Sequence, residues 1–337
     1  MASLKFRLLG LATLAVLATT ACSSGEQQSS AGGGSALSGD VKVDGSSTVF
    51  PIGEAMAEEF QKSNGDVRVT VGVSGTGGGF KKFCAGETDI SNASRPIKSS
   101  EMELCQKNGI EYVELPVAYD ALSVVVNNEN NFATCLTPAQ LKTAWDEAAE
   151  GKISNWNQID PSFPDTPLVL YGPGTDSGTY DYFKEAVIGE DGTRGDFTAS
   201  EDDNIIVQGV ERSPGAMGFF GLAYLEENAG KLKALNIQNS KGDCVAPSVE
   251  TTRDGSYEPL SRPLFVYIAK SALEKPQVQA FAEYLVNPAN GKLVAEAGYI
   301  QLPDALLPKV VDRLKNQTTG TVFGGGSDVG VNLAEKL

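Results

Sequence analysis

Three short segments rich in glycine, serine and threonine constrain the fold of this chain more than any other feature of its sequence. Each follows a run of apolar residues short enough for a buried strand, and each precedes apolar residues that recur at helical spacing. The segments lie at 45–48, 74–79 and 172–179. A chain that repeats the unit of strand, polar loop and helix is expected to form α/β layers, with such loops at the carboxyl ends of the strands.

Apolar runs around the three segments define the predicted secondary structure. Strands are predicted directly before the segments, at 41–43, 67–73 and 168–171. Helices are predicted directly after them, as in the apolar series Tyr180, Phe183 and Val187. Two further apolar runs predict buried strands on which the chain leaves a first lobe and returns to it, at 122–126 and 264–268. Periodicity alone leaves 204–210 open between strand and helix.

We therefore predict an α/β fold of two lobes, each a mixed sheet flanked by helices, with a hinge of crossing strands and a cleft between the lobes. The first lobe comprises 40–123 and 262–337, and the second comprises 124–261. With 337 residues, 41% of them hydrophobic, the chain is long enough to form two cores of ordinary size.

The amino-terminal segment, residues 1–21, predicts an export signal. Basic residues precede a mostly apolar run at 8–17, which is too short for a membrane-spanning helix. Cys22 follows small residues in a pattern that resembles the lipobox of bacterial lipoproteins, although Thr19 replaces the usual leucine. We expect lipidation of Cys22, a flexible linker over 22–39, and anchoring at the outer face of the cytoplasmic membrane. Plain secretion with a free cysteine is the alternative.

The charge and the lack of histidine argue against several classes of function. The formal net charge is -16, which argues against nucleic acid or an anionic lipid surface as the main partner. The chain contains no histidine, so mechanisms that pair histidine with serine or cysteine are excluded and the commonest metal ligand is missing. We expect a monomer that is not an enzyme, has no cofactor and no metal, and contacts the membrane only through its lipid.

Four cysteines follow Cys22, an even number in a chain that is expected to be exported. They are Cys84, Cys105, Cys135 and Cys244. Three pairings are possible. We favour Cys84 with Cys105, because these two are close in the chain, and Cys135 with Cys244. The spacing of the four cysteines matches no zinc-binding pattern.

The residue types in the three segments suit a bound oxyanion. Glycine allows backbone N–H groups to approach a ligand closely, serine and threonine add hydroxyl donors, and a helix N-terminus carries a positive field. Arg95 adds a cation, because Pro96 keeps it on an extended part of the polar stretch 89–96. A single segment of this kind is more often an ordinary turn with a helix cap, so the prediction depends on three of them converging on one anion.

Five motifs follow one another along the chain. They are D-G-S-S-T-V-F-P (44–51), S-G-T-G-G-G-F (74–80), D-I-S-N-A-S-R-P-I (89–97), G-T-D-S-G-T (174–179) and D-G-S-Y-E-P-L-S-R-P-L (254–264). Together they resemble the phosphate-binding proteins of bacterial ABC importers, over nearly the whole chain that follows the export signal. The resemblance implies a two-lobed periplasmic-binding-protein fold, type II-like, and high-affinity binding of inorganic phosphate for delivery to a membrane permease.

The resemblance also implies a set of phosphate-binding residues. In the first lobe these are Ser47, Thr48, the backbone at Val49, Thr76, Ser94 and Arg95. In the second lobe they are Ser177, Gly178 and Thr179. Better-known members have an aspartate in place of Arg95 and an arginine near Pro173, so the binding arginine is expected on the first lobe of this chain.

A carboxylate beside the phosphate is expected to discriminate against sulfate. It accepts a hydrogen bond from a protonated oxygen, which sulfate lacks at neutral pH. Asp176 is the first candidate, and its alternative role is to stabilise the helix start. Asp120 is the second candidate, or else the ion-pair partner of Arg95, whose own alternative role is a surface salt bridge. Arg262 is interpreted as a structural arginine near the hinge.

Two other functions remain open on the sequence. One is a receptor for another oxyanion, such as sulfate, and the other is a phosphate sensor that takes no part in transport. An enzyme that hydrolyses phosphate esters is disfavoured, because histidine and clustered metal-binding carboxylates are lacking.

Overall fold

The structure, a computed structural model, describes residues 37–175, 177–189, 191–326 and 331–337. Strands and helices alternate at its start, as the three segments predict. These elements are β1 (Gly39–Gly45), α1 (Phe50–Ser63), β2 (Val67–Val73), α2 (Gly75–Cys84), β3 (Ile90–Ala93), α3 (Ser99–Lys107) and β4 (Tyr112–Asn127). Because β1 pairs in parallel with both β2 and β3, the carboxyl ends of these three strands meet at one edge of the sheet.

The middle of the chain forms a second group of elements. These are β5 (Cys135–Leu136), α4 (Pro138–Trp145), β6 (Val169–Gly172), α5 (Gly178–Phe183), β7 (Thr198–Ala199), α6 (Asp203–Arg212), β8 (Ala216–Gly221), α7 (Leu222–Glu227), β9 (Leu232–Ala234), β10 (Asn236–Gln238), β11 (Cys244–Val245) and α8 (Val249–Arg253). A π-helical turn, Lys184–Ile188, continues α5. Residues 204–210, which periodicity left open, are helical.

The last part of the chain returns to the first group. Its elements are β12 (Ser261–Ala269), α9 (Pro276–Leu285), α10 (Gly291–Glu296), β13 (Ile300–Gln301), α11 (Leu307–Lys315) and α12 (Leu333–Lys336). Short 3-10 helices lie at Glu147–Ala149, Trp156–Gln158, Lys270–Glu274 and Pro288–Asn290. The main sheet is mixed and has the strand order β2-β1-β3-β12-β4-β8-β6-β7, with β9 and β13 also paired to β4. A small sheet has the order β11-β10-β5.

Strand β4 connects the two halves of the fold and is buried along all of its 16 residues. It pairs with β12 up to Ala121 and with β8 from Leu122 onward. The apolar clusters change at the same place, because Ala121 belongs to the core around α1 and α9, whereas Leu122 belongs to the core around Trp145. The two-lobed α/β architecture predicted from the sequence is therefore confirmed, while the predicted lobe boundaries stay predictions.

The return crossing lies earlier than predicted. Residues 264–268 are part of β12, which lies wholly in the first lobe between β3 and β4. The chain crosses before this strand, where the backbone N–H of Leu122 donates to the carbonyl of Leu260 (2.9 Å) and the hydroxyl of Tyr257 donates to the carbonyl of Leu122 (2.8 Å). The apolar run indicated burial in the middle of a sheet and was wrongly interpreted as a crossing.

The glycine-rich segment 74–79 was also predicted wrongly, because α2 already begins at Gly75. One of its glycines, Gly79, allows the helix to pack closely on the sheet. A Cβ atom at Gly79 would lie 2.5 Å from the Cα of Gly45, a separation that no larger residue can accommodate. Gly79 thus lets α2 pack directly against the end of β1.

Both disulfides follow the favoured pairing. Cys84 is joined to Cys105, which connects α2 with α3, and Cys135 is joined to Cys244, which connects β5 with β11 in the small sheet. Among the described residues, no helix has the length and the apolar character needed to cross a membrane.

We expect the double variant Cys135→Ala/Cys244→Ala to lose about 4 kcal/mol of unfolding free energy, because its disulfide closes a long loop of the unfolded chain. The two cysteines are 109 residues apart, and the exposed Cys244 contributes little packing of its own. Equilibrium unfolding in urea measures the loss, with Cys84–Cys105 left intact. A loss below about 1 kcal/mol would contradict this account.

Candidate functional site

A cavity of about 200 Å³ lies between the starts of α1 and α2 on the first lobe and one face of α5 on the second. Its lining combines hydroxyl groups, glycine backbone and four charged side chains. These residues are Ser46, Ser47, Thr48, Gly75, Thr76, Gly77, Ser94, Arg95, Asp181, Glu185 and Arg262. We refer to this space as the inter-lobe cavity.

The loop before α1 places its hydroxyls at the inter-lobe cavity. The backbone N–H of Ser46 donates to the carbonyl of Asn92 (3.0 Å), which fixes the loop beside the end of β3. Thr48 is buried, and Pro51 lies within the first turn of α1, where its missing N–H costs no hydrogen bond. The N-terminus of a 14-residue helix therefore adjoins this cavity.

A second pair of hydroxyls from the first lobe, those of Thr76 and Ser94, also lines the inter-lobe cavity. The hydroxyls of Thr76 and Ser94 are 3.0 Å apart, and the backbone N–H of Ser94 donates to the Thr76 hydroxyl (3.2 Å). Thr76 belongs to the first turn of α2 and Ser94 directly follows β3. The carboxyl end of a strand and the start of a helix thus converge on the inter-lobe cavity.

Arg95 lines the inter-lobe cavity and forms an ion pair with Glu101. The two guanidinium nitrogens Nη1 and Nη2 donate to the two carboxylate oxygens of Glu101, at 2.9 and 2.8 Å. Glu101 also accepts from the backbone N–H of Lys98 (2.8 Å), so it caps α3 at the same time. Asp120, the alternative partner considered for Arg95, does not fill that role, because Glu101 already accepts from both guanidinium nitrogens.

Arg262 is one of the cavity residues that the sequence analysis did not assign to the ligand. Its Nη1 donates to Glu185 (2.9 Å) and its Nη2 donates to the Thr48 hydroxyl (3.3 Å). The guanidinium carbon lies 3.6 Å from the centroid of the Tyr182 ring, a cation–π contact. Its side chain lines the inter-lobe cavity, and its interpretation as a structural arginine near the hinge stays a prediction. A signal was available, because Ser-Arg-Pro occurs twice in the chain, at 94–96 and 261–263.

Asp120 lies behind Arg262 and does not line the inter-lobe cavity. Its Oδ2 is 3.6 Å from the Nε of Arg262, and both side chains are buried. Burial raises the pKa of Asp120 to about 6, and the positive charge of Arg262 opposes this rise. The other candidate carboxylate, Asp176, lies outside the described residues.

The third of the glycine-rich segments, at 172–179, belongs to the second lobe and contacts the first lobe directly. Ser177 caps α5, since its hydroxyl accepts from the backbone N–H of Thr179 (3.2 Å). The Thr48 hydroxyl donates to the carbonyl of Gly178 (3.4 Å), and a Cβ at Gly178 would lie 2.8 Å from the Cα of Thr48. Only glycine permits this approach of the two lobes.

The carboxylate of Asp181 faces the first lobe from α5. The Ser47 hydroxyl donates to its Oδ2 (2.9 Å), so this contact also spans the two lobes. Asp181 and Glu185 are one helical turn apart, which places both carboxylates on the face that lines the inter-lobe cavity. Neither residue belongs to the motifs from which the site was predicted.

The structure thus divides the predicted residues into two groups. Five line the inter-lobe cavity, namely Ser47, Thr48, Thr76, Ser94 and Arg95. Four lie beside it, namely Val49, Ser177, Gly178 and Thr179. Of these four, Thr179 lines a different cavity together with Asp120, and the backbone N–H of Val49 is directed at the Ser46 hydroxyl (3.4 Å).

Comparisons with known proteins agree with this architecture. The PBP superfamily domain matches residues 26–289. The chain is 55% identical over 297 residues to Protein SphX of Synechococcus elongatus, with 88% of each chain covered. It is 41% identical over 279 residues to the phosphate-binding protein PstS of Staphylococcus saprophyticus, covering 81% of this chain and 84% of that one.

A solved structure gives the same result. The crystal structure of a possible phosphate-binding protein from Planctomyces limnophilus matches with a TM-score of 0.81 and 47% identity, covering 84% of this chain and 99% of that chain. The chain thus resembles these proteins in sequence over most of its length, and it resembles the solved structure in fold. The chain therefore belongs to the PBP superfamily, in the family of the PstS phosphate-binding proteins.

Proposed function

We propose that this chain binds inorganic phosphate in the inter-lobe cavity and delivers it to the permease of an ABC importer. The observation that carries the proposal is the composition of the cavity, where five hydroxyl groups and two arginines from the first lobe face the second lobe. The names of the PstS relatives support phosphate as the ligand.

The chemistry of the inter-lobe cavity suits a phosphate that has lost its water. A buried oxyanion needs hydrogen bonds to most of its oxygens, and hydroxyls, backbone N–H groups and guanidinium groups provide them. Ser47, Thr48, Thr76 and Ser94 line this cavity, and the hydroxyls of Ser47 and Thr48 would donate to an anion after turning from Asp181 and the Gly178 carbonyl. The N-termini of α1 and α2 add a favourable field. No metal or cofactor is needed for such binding, and no catalytic step is part of the proposal.

Asp181 is the carboxylate that we assign to discrimination against sulfate. It faces the inter-lobe cavity, whereas Asp120 lies behind Arg262. An ionised carboxylate accepts a hydrogen bond from a protonated phosphate oxygen and repels an anion without a proton. The role of Asp176 stays a prediction.

Binding by two lobes also provides a signal for transport. Contacts of the second lobe with the first are made by Gly178, Asp181 and Glu185 around the inter-lobe cavity. A ligand held between these elements favours a closed arrangement of the lobes, which a permease can recognise. Lipidation of Cys22 would keep the receptor beside that permease.

We expect calorimetry of ligand-stripped protein to show tight binding of phosphate and much weaker binding of sulfate at neutral pH, because only phosphate offers Asp181 a proton. The variant Asp181→Asn should reduce the preference for phosphate over sulfate. Equal affinities of the unmodified protein for the two anions would contradict the assignment and favour a general oxyanion receptor.

Arg95→Gln should weaken phosphate binding by about 1.5–3 kcal/mol, the range of a charge-assisted hydrogen bond. Arg68→Gln is the matched control, since Arg68 is exposed on β2 and does not line the inter-lobe cavity. Titration calorimetry of both variants measures the difference. If the two bind phosphate equally well, Arg95 serves only to hold α3 through Glu101.

Lipidation of Cys22 predicts that the chain, produced in an exporting bacterial host, partitions into the detergent phase of a Triton X-114 extract. Cys22→Ser should move it to the aqueous phase, because serine cannot carry the thioether-linked lipid. A wild-type protein that stays in the aqueous phase would favour plain secretion.

A further inference from the structure

We propose that the carboxylate of Glu185 competes with the oxyanion for Arg262. Glu185 pairs with Arg262, and the bound anion replaces Glu185 in that contact. The inference rests on the proposed phosphate site, and it assigns roles to two residues that the motifs of the sequence left without one. It explains why a cavity for an anion has a carboxylate directed at one of its cations.

The ion pair of Glu185 with Arg262 spans the two lobes. Arg262 belongs to β12 in the first lobe, and Glu185 belongs to the π-helical turn that follows α5 in the second. The Nη1 of Arg262 lies 2.9 Å from the Oε2 of Glu185. A group that replaces this carboxylate therefore changes a contact between the lobes.

The two partners differ in how firmly they are held. The side chain of Arg262 is 7% exposed, and Asp120, Tyr182 and Thr48 surround its guanidinium. The side chain of Glu185 is 51% exposed. Glu185 can turn into water at small cost, whereas Arg262 stays in position, so the exchange moves the carboxylate and leaves the cation fixed.

Arg95 provides an internal comparison within the same inter-lobe cavity. Its partner Glu101 belongs to the same lobe, is only 14% exposed and also caps α3. An anion cannot displace Glu101 without breaking that cap. Of the two arginines that line this cavity, Arg262 is therefore the one whose partner can be exchanged.

The proposed competition lowers the affinity for any anion in two ways. The carboxylate occupies an N–H of Nη1 from which an oxyanion oxygen would otherwise accept, and its negative charge stays close to the bound anion. Glu185 also interacts electrostatically with Arg95, so its charge acts on both cations of the inter-lobe cavity. Replacing the charge by a neutral amide removes both effects and keeps the size of the side chain.

Titration calorimetry with inorganic phosphate tests the proposal on Glu185→Gln, with Glu274→Gln as the matched control. Glu274 is exposed in a 3-10 helix and lies outside the inter-lobe cavity. We expect Glu185→Gln to bind phosphate on the order of tenfold more tightly than the unmodified protein, and Glu274→Gln to bind it equally well. An unchanged or weaker affinity of Glu185→Gln overturns the proposal.

A second comparison tests whether the effect passes through Arg262. In the background Asp120→Asn/Arg262→Gln, which removes both members of the buried pair, Glu185→Gln should give a much smaller gain in affinity, because only the effect of its charge on the anion and on Arg95 is left to remove. A full gain in that background would mean general repulsion and would overturn the exchange at Arg262. If the unmodified protein binds no phosphate at all, the proposed function itself fails, which is a different result from an unchanged affinity of the variant.

Discussion

The pairing of β4 with β12 fixes the site, because it places a buried ion pair where the chain passes between the lobes. Asp120 and Arg262 are directly opposite each other in this register, one residue before β4 leaves the first lobe at Ala121. Charged side chains on neighbouring strands stabilise each other at this distance, and a buried guanidinium requires such a partner. The pair holds Arg262 at the back of the inter-lobe cavity, where it also contacts Thr48 and Glu185.

Much of the fold could be predicted because local sequence carries it. The alternation of valines in β2 and the apolar spacing of α1 depend only on neighbouring residues, and the even number of cysteines depends only on composition. Each prediction is confirmed. The two errors have the same physical origin. The run at 264–268 and the glycines at 74–79 were assigned from local pattern, but packing against other strands determines their state.

The site divides in the same way. Ser47, Thr48, Thr76, Ser94 and Arg95 follow strands directly, so sequence order alone places them at one edge of a sheet. Asp181, Glu185 and Arg262 reach the inter-lobe cavity only because the second lobe lies against the first and because β12 pairs with β4 in one register. Apart from the repeated Ser-Arg-Pro, no local sequence pattern around these three residues indicates that they line the cavity.

The central claim is that one tetrahedral oxyanion binds between the lobes, among these hydroxyls and arginines. Arsenate has the charge and shape of phosphate, and arsenic gives an anomalous X-ray signal. A crystal of the arsenate complex is predicted to show one strong anomalous peak within hydrogen-bond distance of Thr48, Thr76 and the guanidinium of Arg95 or Arg262. A peak elsewhere, or none in the inter-lobe cavity, would contradict the account.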